Sequence, residues 1–224
     1  LSHGDLYRQV AHFAAALQDQ GVVAGDRVAA YMPNLPETIV VMLAAASLGA
    51  IFSSASPDFG VQGVLDRFGQ IEPKVLVAVD GYYYNGKIVD CLDRLAAITD
   101  GLPSVKRVVV VPYVHAHHDI SHVHHARMLV DFVKPFLAET EIPFVQLPFA
   151  HPLFIMYSSG TTGVPKCIVH CAGGVLLQHL KEHRLHGDVK PGDKLFYFTT
   201  CGWMMWNWLV SGLASGATLL LYDG

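Results

Sequence analysis

The sequence has 224 residues, of which 52% are hydrophobic, so the chain can bury a sizeable core and global disorder is excluded. Its formal charge of -4, from 15 basic and 19 acidic side chains spread along the chain, excludes the basic patch with which proteins grip nucleic acid or an anionic membrane. A small molecule or another protein is therefore the expected partner.

The first half of the chain predicts an alternation of helices and strands. Apolar residues at helical spacing, after the capping residues Ser2 and Asp5, predict an amphipathic helix that begins near Leu6 and ends before Gly21. The elements predicted next are strands at 27–32, 50–53, 75–79 and 107–111 and helices at 38–48, 61–68 and 88–99. Strands separated by helices favour parallel pairing through crossover connections, so the predicted fold class is α/β with parallel-rich sheets.

Residues 114–127 interrupt this pattern with a group of histidines and no apolar periodicity. The histidines are His115, His117, His118, His122, His124 and His125. Imidazoles can bind a transition metal, but no carboxylate or cysteine arrangement completes a recognisable site here. An exposed surface loop is the favoured interpretation, and metal binding is the alternative.

The second half of the chain returns to ordered elements. They are a short helix at 128–137, an ordered segment at 144–147, strands at 153–157, 167–169, 194–199 and 217–221, and helices at 173–183 and 206–214. Two strand-to-helix transitions are therefore expected to flank the residues around 157–166.

The cysteines and the longest apolar stretch indicate the cellular compartment. Cys91, Cys167, Cys171 and Cys201 are too few for the disulfide framework of a small secreted domain, and no signal peptide opens the sequence. The longest apolar stretch, 38–52, is shorter than the roughly 20 residues of a membrane-spanning helix, so we interpret it as buried. A reducing, cytosolic setting is expected.

The decapeptide Tyr157-Ser158-Ser159-Gly160-Thr161-Thr162-Gly163-Val164-Pro165-Lys166 carries the most specific chemistry. Glycines let backbone amides approach an anion closely, hydroxyls donate to phosphate oxygens, and Lys166 supplies a positive charge. The pattern is not a Walker loop, because Pro165 precedes the lysine and Cys167 follows it, and the G-x-S-x-G elbow of serine hydrolases is absent. A Ser/Thr/Gly loop alone can be a plain turn, but the whole decapeptide after an apolar strand favours a phosphate site.

This decapeptide resembles the phosphate-binding core motif of the adenylate-forming superfamily, which includes acyl-CoA synthetases, luciferases and peptide-synthetase adenylation domains. The segments 25–34 and 48–52 are similar to two further signatures of that superfamily. The resemblance implies that residues 1–224 are part of the large N-terminal AMP-binding domain, and that the small C-terminal domain is absent from this chain. We therefore expect an internal fragment of a longer enzyme.

Within the superfamily, the segments 52–60, 151–157, 179–183 and 202–208 are similar to the ligases that act on acetoacetate. The resemblance implies that acetoacetate attacks the α-phosphate of ATP, that pyrophosphate leaves, and that the acyl group passes to the thiol of coenzyme A, with Mg²⁺ required. The implied partners are these small molecules, with no nucleic acid and no membrane insertion. Two other functions stay open, namely a non-catalytic phosphate-binding chain and a ligase for another short acid such as acetate.

The resemblance also implies roles for individual residues. Thr161, Thr162 and Lys166 would contact the β- and γ-phosphates and are the catalytic candidates. The nucleotide-binding set is Ser158, Ser159, Gly160, Thr161, Thr162, Gly163 and Lys166. The lysine that assists adenylation in the superfamily lies in the C-terminal domain, so Lys166 is not given that role.

Several other residues have a functional and a structural interpretation. Trp203 is a candidate wall of the acyl pocket, although aromatic residues at this spacing are commonly core. A pattern similar to a zinc site is formed by Cys167, Cys171, His179 and His183. The spacer between its cysteines and its histidines is shorter than in a common zinc finger, so we favour the interpretation that these residues bind no metal. His170 can face the site or pack, and the turn around Asp58 can be an active-site loop or, as we favour, a helix entry.

Overall fold

The computed structural model describes residues 1–115, 119–158 and 163–224 and confirms the α/β class. The strands within these residues are β1 (Arg27–Tyr31), β2 (Ile51–Ala55), β3 (Val75–Val79), β4 (Gly81–Tyr84), β5 (Lys87–Asp90), β6 (Arg107–Val111), β7 (Ala126–Met128), β8 (Pro152–Ser158), β9 (Lys166–Cys171), β10 (Lys194–Phe196) and β11 (Thr218–Leu220). The α-helices are α1 (His3–Asp19), α2 (Pro36–Ser47), α3 (Val61–Phe68), α4 (Leu92–Asp100), α5 (Leu129–Val133), α6 (Ala172–Lys181) and α7 (Met204–Ser211).

The central sheet of the described residues has the strand order β7-β6-β3-β1-β2-β8-β9. Neighbouring strands in it are parallel, except that β8 and β9 are antiparallel. Every residue of β3 is buried, as is nearly all of β1 and β6. Continuous apolar runs are what a parallel sheet covered on both faces requires, which explains why these strands could be predicted.

The first helix begins as its capping residues predict. The Asp5 amide donates to Ser2 Oγ at 3.1 Å, and the Ser2 amide donates to Asp5 Oδ2 at 3.0 Å, which completes a capping box. The buried face of α1 packs on α2, and Phe13 stacks against Phe132 with ring centroids 5.4 Å apart. Helices therefore cover the sheet from the first residues onward.

The predicted helix at 88–99 is wrong at its start, because residues 81–90 form an antiparallel hairpin of β4 and β5. Asn85 and Gly86 both have positive φ, at 49° and 71°, as a two-residue hairpin turn requires. Helix α4 begins only at Leu92, where the Asp90 carboxylate accepts from the Leu92 amide at 2.9 Å. The Asn-Gly pair between tyrosines and Ile88 was the signal for this hairpin.

Residues 144–147, predicted only as an ordered segment, are neither helix nor strand, and the Val145 amide donates to the Ser47 carbonyl at 2.9 Å. The strand predicted at 194–199 is shorter, and β10 pairs with β11 in a separate small parallel sheet. Of the helices in the described ranges, none has both the length and the apolar character needed to cross a bilayer.

The described part of the histidine-rich segment lies against acidic residues of β5 and α4. His115, His122 and His124 each place Nε2 at 3.6 Å from a carboxylate oxygen, of Asp90, Asp93 and Asp100 respectively. His117 and His118 lie outside the described residues. The end of the segment, at Ala126, enters β7 instead of continuing as a loop. Among the residues that the structure describes, no group of three or more His, Cys, Asp or Glu is placed to hold a metal ion.

Candidate functional site

The glycine- and hydroxyl-rich decapeptide lies at a hairpin between β8 and β9. Ser158 of β8 pairs with Lys166 of β9, and this is the residue pair nearest to the loop. The residues between them therefore connect two antiparallel strands. Ser159, Gly160, Thr161 and Thr162 lie outside the described residues. After the loop the chain enters β9 and then α6, in agreement with the strand predicted at 167–169 and the helix predicted at 173–183.

This connection has a chemical consequence. In a Walker loop, the N-terminus of the following helix contributes positive potential to the phosphate site. Here the residue that follows the loop is Lys166, the first of an edge strand. A bound anion would therefore depend on loop amides, hydroxyls and the lysine charge instead of a helix N-terminus.

Gly163 and Lys166 suit such a role. Gly163 has a φ of +102°, a conformation that residues with a β-carbon rarely adopt, and no atom of the described residues lies within 4 Å of the position of an added Cβ. The Lys166 side chain is exposed and forms no ion pair with the rest of the described chain. The backbone is thus open at Gly163, and a free ammonium group lies three residues later.

The stem of the hairpin is anchored to the end of α3 by Gln70, a residue that the sequence did not single out. Its Nε2 donates to the Pro165 carbonyl at 2.8 Å, and the Cys167 thiol lies 3.6 Å from its Oε1. Gln70 also donates to the Asp66 carbonyl at 2.6 Å, which fixes its own position. The exit of the loop is therefore tied to a helix from the first third of the chain.

The other side of the stem is tied to β2. Tyr157 places its hydroxyl 3.0 Å from Ser53 Oγ, and Ser53 Oγ donates to the Ile155 carbonyl at 2.8 Å. Burial raises the pKa of the Tyr157 phenol, so it remains protonated and able to donate. The Arg67 guanidinium lies 4.1 Å from the Phe59 ring centroid and 5.8 Å from that of Tyr157.

The segment 199–208 crosses the carboxyl ends of β1 and β2. Ser54 Oγ donates to the Cys201 carbonyl at 2.6 Å, and Trp206 Nε1 donates to Asn34 Oδ1 at 2.9 Å. Ligands of open α/β sheets bind outside the carboxyl ends of the strands. This edge therefore brings together the end of β8, the turn after β1 and the segment that contains Trp203.

Trp203 is exposed to 68% and lies beside a small void of about 10 Å³ that Ser54, Met156 and Gly202 also line. A larger cavity of about 680 Å³ lies next to it, between α6 and α7. Its lining includes Met204, Met205 and Trp208 from α7 and His179 from α6. Trp203 itself borders the small void, whereas Met204, Met205 and Trp208, which follow it in the chain, line the larger cavity.

The cysteines and histidines of the imitated zinc pattern separate into different environments. Cys167 is exposed in β9, whereas Cys171 and His179 line the cavity. His183 is buried, and its Nε2 lies 2.8 Å from the Trp208 carbonyl. His170, which was expected either to face the site or to pack, is half-buried and lines the same cavity.

The Ser56-Pro57-Asp58 turn is held by Tyr31, whose hydroxyl lies 2.8 Å from the Pro57 carbonyl and 2.9 Å from the Phe59 carbonyl. Arg94 also donates to the Pro57 carbonyl, at 3.1 Å. Contacts from β1 and α4 therefore hold the turn, which leads into α3.

Comparison with known proteins identifies the family of this chain. A family model described as AMP-binding enzyme matches residues 1–224. The chain is similar to acetoacetyl-coenzyme A synthetase of Rhizobium meliloti, with 58% identity over 100% of the chain and 34% of the relative, and to acetoacetyl-CoA synthetase of Mus musculus, with 55% identity over 98% of the chain and 33% of the relative.

A solved structure, acetoacetyl-CoA synthetase from Streptomyces lividans, superposes with a TM-score of 0.90 at 46% identity and covers 98% of this chain and 33% of that one. The chain is also 46% identical to malonamoyl-CoA synthetase vrtB of Penicillium aethiopicum, over 98% of its own length and 31% of the relative. It spans about a third of the length of the curated relatives that it matches. The chain belongs to the AMP-binding enzyme family.

Proposed function

We propose that the complete protein is an acid–thiol ligase that joins acetoacetate to coenzyme A at the expense of ATP, and that residues 1–224 form part of its large N-terminal domain. The observation that carries the proposal is the similarity over the whole chain, at 58% and 55% identity, to proteins named as acetoacetyl-CoA synthetases. The partners are then small molecules, and the cytosol is the expected compartment.

The reaction proceeds in two steps because a free carboxylate is a poor acyl donor. A carboxylate oxygen of acetoacetate forms a bond to the α-phosphorus of ATP, the bond from that phosphorus to the bridging oxygen breaks, and pyrophosphate leaves. The sulfur of coenzyme A then bonds to the acyl carbon, its proton is released, and AMP leaves. Displacement at phosphorus depends mainly on positioning and on neutralising charge.

In this proposal, the residues between β8 and β9 hold the β- and γ-phosphates. Ser158 to Gly163 supply amides and hydroxyls, with Thr161 and Thr162 as direct phosphate contacts, and Lys166 stabilises the charge of the departing pyrophosphate. The positive φ of Gly163 and the Lys166 ammonium group, which pairs with no acidic side chain of the described residues, support this assignment. Trp203 remains a proposed wall of the acyl pocket.

Magnesium fits this arrangement as an ion that arrives with ATP. Mg²⁺ is commonly bound by substrate phosphates and water with only one or two carboxylates, and it neutralises phosphate charge when bound. The described residues contain no group of three or more acidic or imidazole side chains that could hold it as a resident ion.

A second acid is a defined alternative, because one relative at 46% identity is named for malonamoyl-CoA. ATP–pyrophosphate exchange by the complete protein, with acetoacetate, malonamate, acetate, butyrate and isobutyrate in turn, tests the assignment. We expect acetoacetate to give the highest kcat/KM. A preference for another acid would change the substrate, and no acid-dependent exchange would favour a non-catalytic phosphate-binding chain.

Gln70→Ala is predicted to raise the KM for Mg-ATP by about 2- to 5-fold while leaving kcat within twofold, since a hydrogen bond of this kind contributes about 0.5–1 kcal/mol. The loop exit at Pro165 would lose its contact with α3. The matched control is Gln62→Ala in α3, since within the described residues the Gln62 side chain bonds to Asp66 and not to the loop. Equal KM values for the two variants in the exchange assay would contradict a positioning role for Gln70.

A further inference from the structure

Arg67 is a half-buried cation that pairs with no carboxylate of the described residues. It lies in the last turn of α3, and its Nη1 donates to the Gly63 carbonyl, one turn earlier, at 2.7 Å. A guanidinium that leaves water is expected to gain either a carboxylate partner or the face of an aromatic ring. The rings around Arg67 are therefore the contacts that indicate its role.

Two aromatic rings lie within reach of the Arg67 guanidinium. Its Cζ is 4.1 Å from the ring centroid of Phe59 and 5.8 Å from that of Tyr157. A guanidinium within about 6 Å of a ring centroid is attracted by the negative face of the ring. The Tyr157 contact lies near that limit, so Phe59 is the closer partner. Arg67 thus connects the turn after β2 with the strand β8.

The Phe59 ring also packs on the backbone of Gly202. A Cβ added at Gly202 would lie 3.0 Å from Phe59 Cε2 and 3.5 Å from Phe59 Cζ, and the first of these is shorter than an ordinary carbon–carbon contact. Glycine is therefore the residue that allows this approach. The backbone of Phe59 is fixed as well, because the Tyr31 hydroxyl lies 2.9 Å from its carbonyl oxygen. Phe59 thus contacts Gly202 and Arg67 from a turn that is itself held in place.

The two ends of this series of contacts belong to different parts of the proposed site. Tyr157 lies one residue before the end of β8, from which the phosphate loop starts, and Gly202 directly precedes Trp203, the proposed wall of the acyl pocket. Phe59 and Arg67 lie between them. The carboxylate of the acid must meet the α-phosphate of ATP, and a misplacement of about 1 Å can slow such a reaction by about 100-fold. The separation of these two parts is therefore important for the reaction.

We propose that Arg67 and Phe59 are a pair of positioning residues that hold the segment before Trp203 and the stem of the phosphate loop at a fixed separation, so that the acid and ATP meet in a reactive geometry. This inference rests on the proposed function and adds to it the residues that align its two substrate-binding parts. Neither side chain is assigned a contact with a substrate. Their role also differs from that of Gln70, which contacts the loop exit and β9.

The test measures acetoacetate-dependent ATP–pyrophosphate exchange by the complete protein, with Mg-ATP and the acid varied in turn. We expect Arg67→Ala to raise both KM values by about 3- to 10-fold and to lower kcat by about 10-fold, because misaligned substrates bind less well and react more slowly. Arg67→Lys, which keeps a cation near the rings, is expected to recover part of the loss. Arg184→Ala removes an exposed arginine beyond α6 and is the matched control, with no change in any of the three values.

A second variant tests whether the two residues act together. Phe59→Leu keeps an apolar side chain beside Gly202 but removes the aromatic face that the guanidinium contacts. We expect it to change the KM values and kcat in the same direction as Arg67→Ala. The double variant Arg67→Ala/Phe59→Leu should be no more impaired than the more impaired single variant, because residues that act through one contact are not additive.

Four outcomes would overturn the inference. A lower unfolding free energy in urea with unchanged KM and kcat would mean that Arg67 only supports the fold, and Arg67→Lys gives the same measurement if the alanine variant does not fold. A raised KM for Mg-ATP alone would restrict Arg67 to the stem of the loop. Additive losses in the double variant would mean that Arg67 and Phe59 act separately. Absence of acid-dependent exchange by the unmodified protein would instead overturn the proposed function, and this inference with it.

Discussion

Lys166→Ala is expected to lower kcat for acetoacetate-dependent ATP–pyrophosphate exchange by about 10²- to 10³-fold, because removal of a group that stabilises transition-state charge has an effect of this size. The side chain is exposed and pairs with no acidic residue in the described chain, so the unfolding free energy should change by less than about 0.5 kcal/mol. Exchange kinetics and urea unfolding of the same preparations measure the two effects.

The matched control is Lys87→Ala, which removes an exposed lysine from the β5 strand of the small hairpin, far along the chain from the phosphate loop. It should leave exchange unchanged. Lys166→Arg is expected to recover only part of the activity, since a planar guanidinium does not replace a compact ammonium group at a phosphate. Equal heats of Mg-ATP or pyrophosphate binding for the unmodified protein and Lys166→Ala would contradict a role for Lys166 in gripping phosphate.

Much of the fold could be predicted because its central strands are buried on both faces. Such strands are continuous apolar runs, as in β3 and β6, and these can be read without knowledge of their neighbours. The β4–β5 hairpin was missed since its outer residues are exposed and its apolar content is compatible with a helix start. Only the positive-φ turn at Asn85 and Gly86 distinguishes the two.

The direction of β9 could not be predicted in the same way. The alternation of helices and strands favoured parallel pairing throughout, but the loop between Ser158 and Lys166 is too short for a crossover connection. The two strands therefore form a hairpin. Loop length, and not hydrophobic pattern, decided this part of the topology.

The candidate site also contains some residues that could be predicted from the sequence and some that could not. The proposed phosphate loop could be identified from the sequence because its glycines, hydroxyls and lysine lie close together in the chain. Gln70 lies 95 residues before Pro165, the residue whose carbonyl it holds. Contacts between distant residues depend on packing that a single sequence does not display, which is why Gln70 was identified only from the structure.

Trp206 and Trp203 lie in the same segment but differ in burial. Trp206 is fully buried, its ring lies 6.0 Å from that of Phe52, and its Nε1 donates to the buried Asn34. Trp206→Ala is therefore expected to lower the unfolding free energy by about 3–5 kcal/mol, near the upper end because Asn34 Oδ1 would lose its partner. Trp206→Phe, which keeps most of the packing, should cost less.

Trp203 is only three residues earlier but 68% exposed, so Trp203→Ala should change the unfolding free energy by less than about 0.5 kcal/mol. If it borders the acyl pocket, the same substitution should raise the KM for the acid without changing the KM for ATP. Urea unfolding and exchange kinetics on both alanine variants separate the two functions of the segment. Similar losses of stability would contradict the division, because they would place both rings in the core, whereas a selective loss of acid binding at Trp203 would assign the exposed ring to substrate.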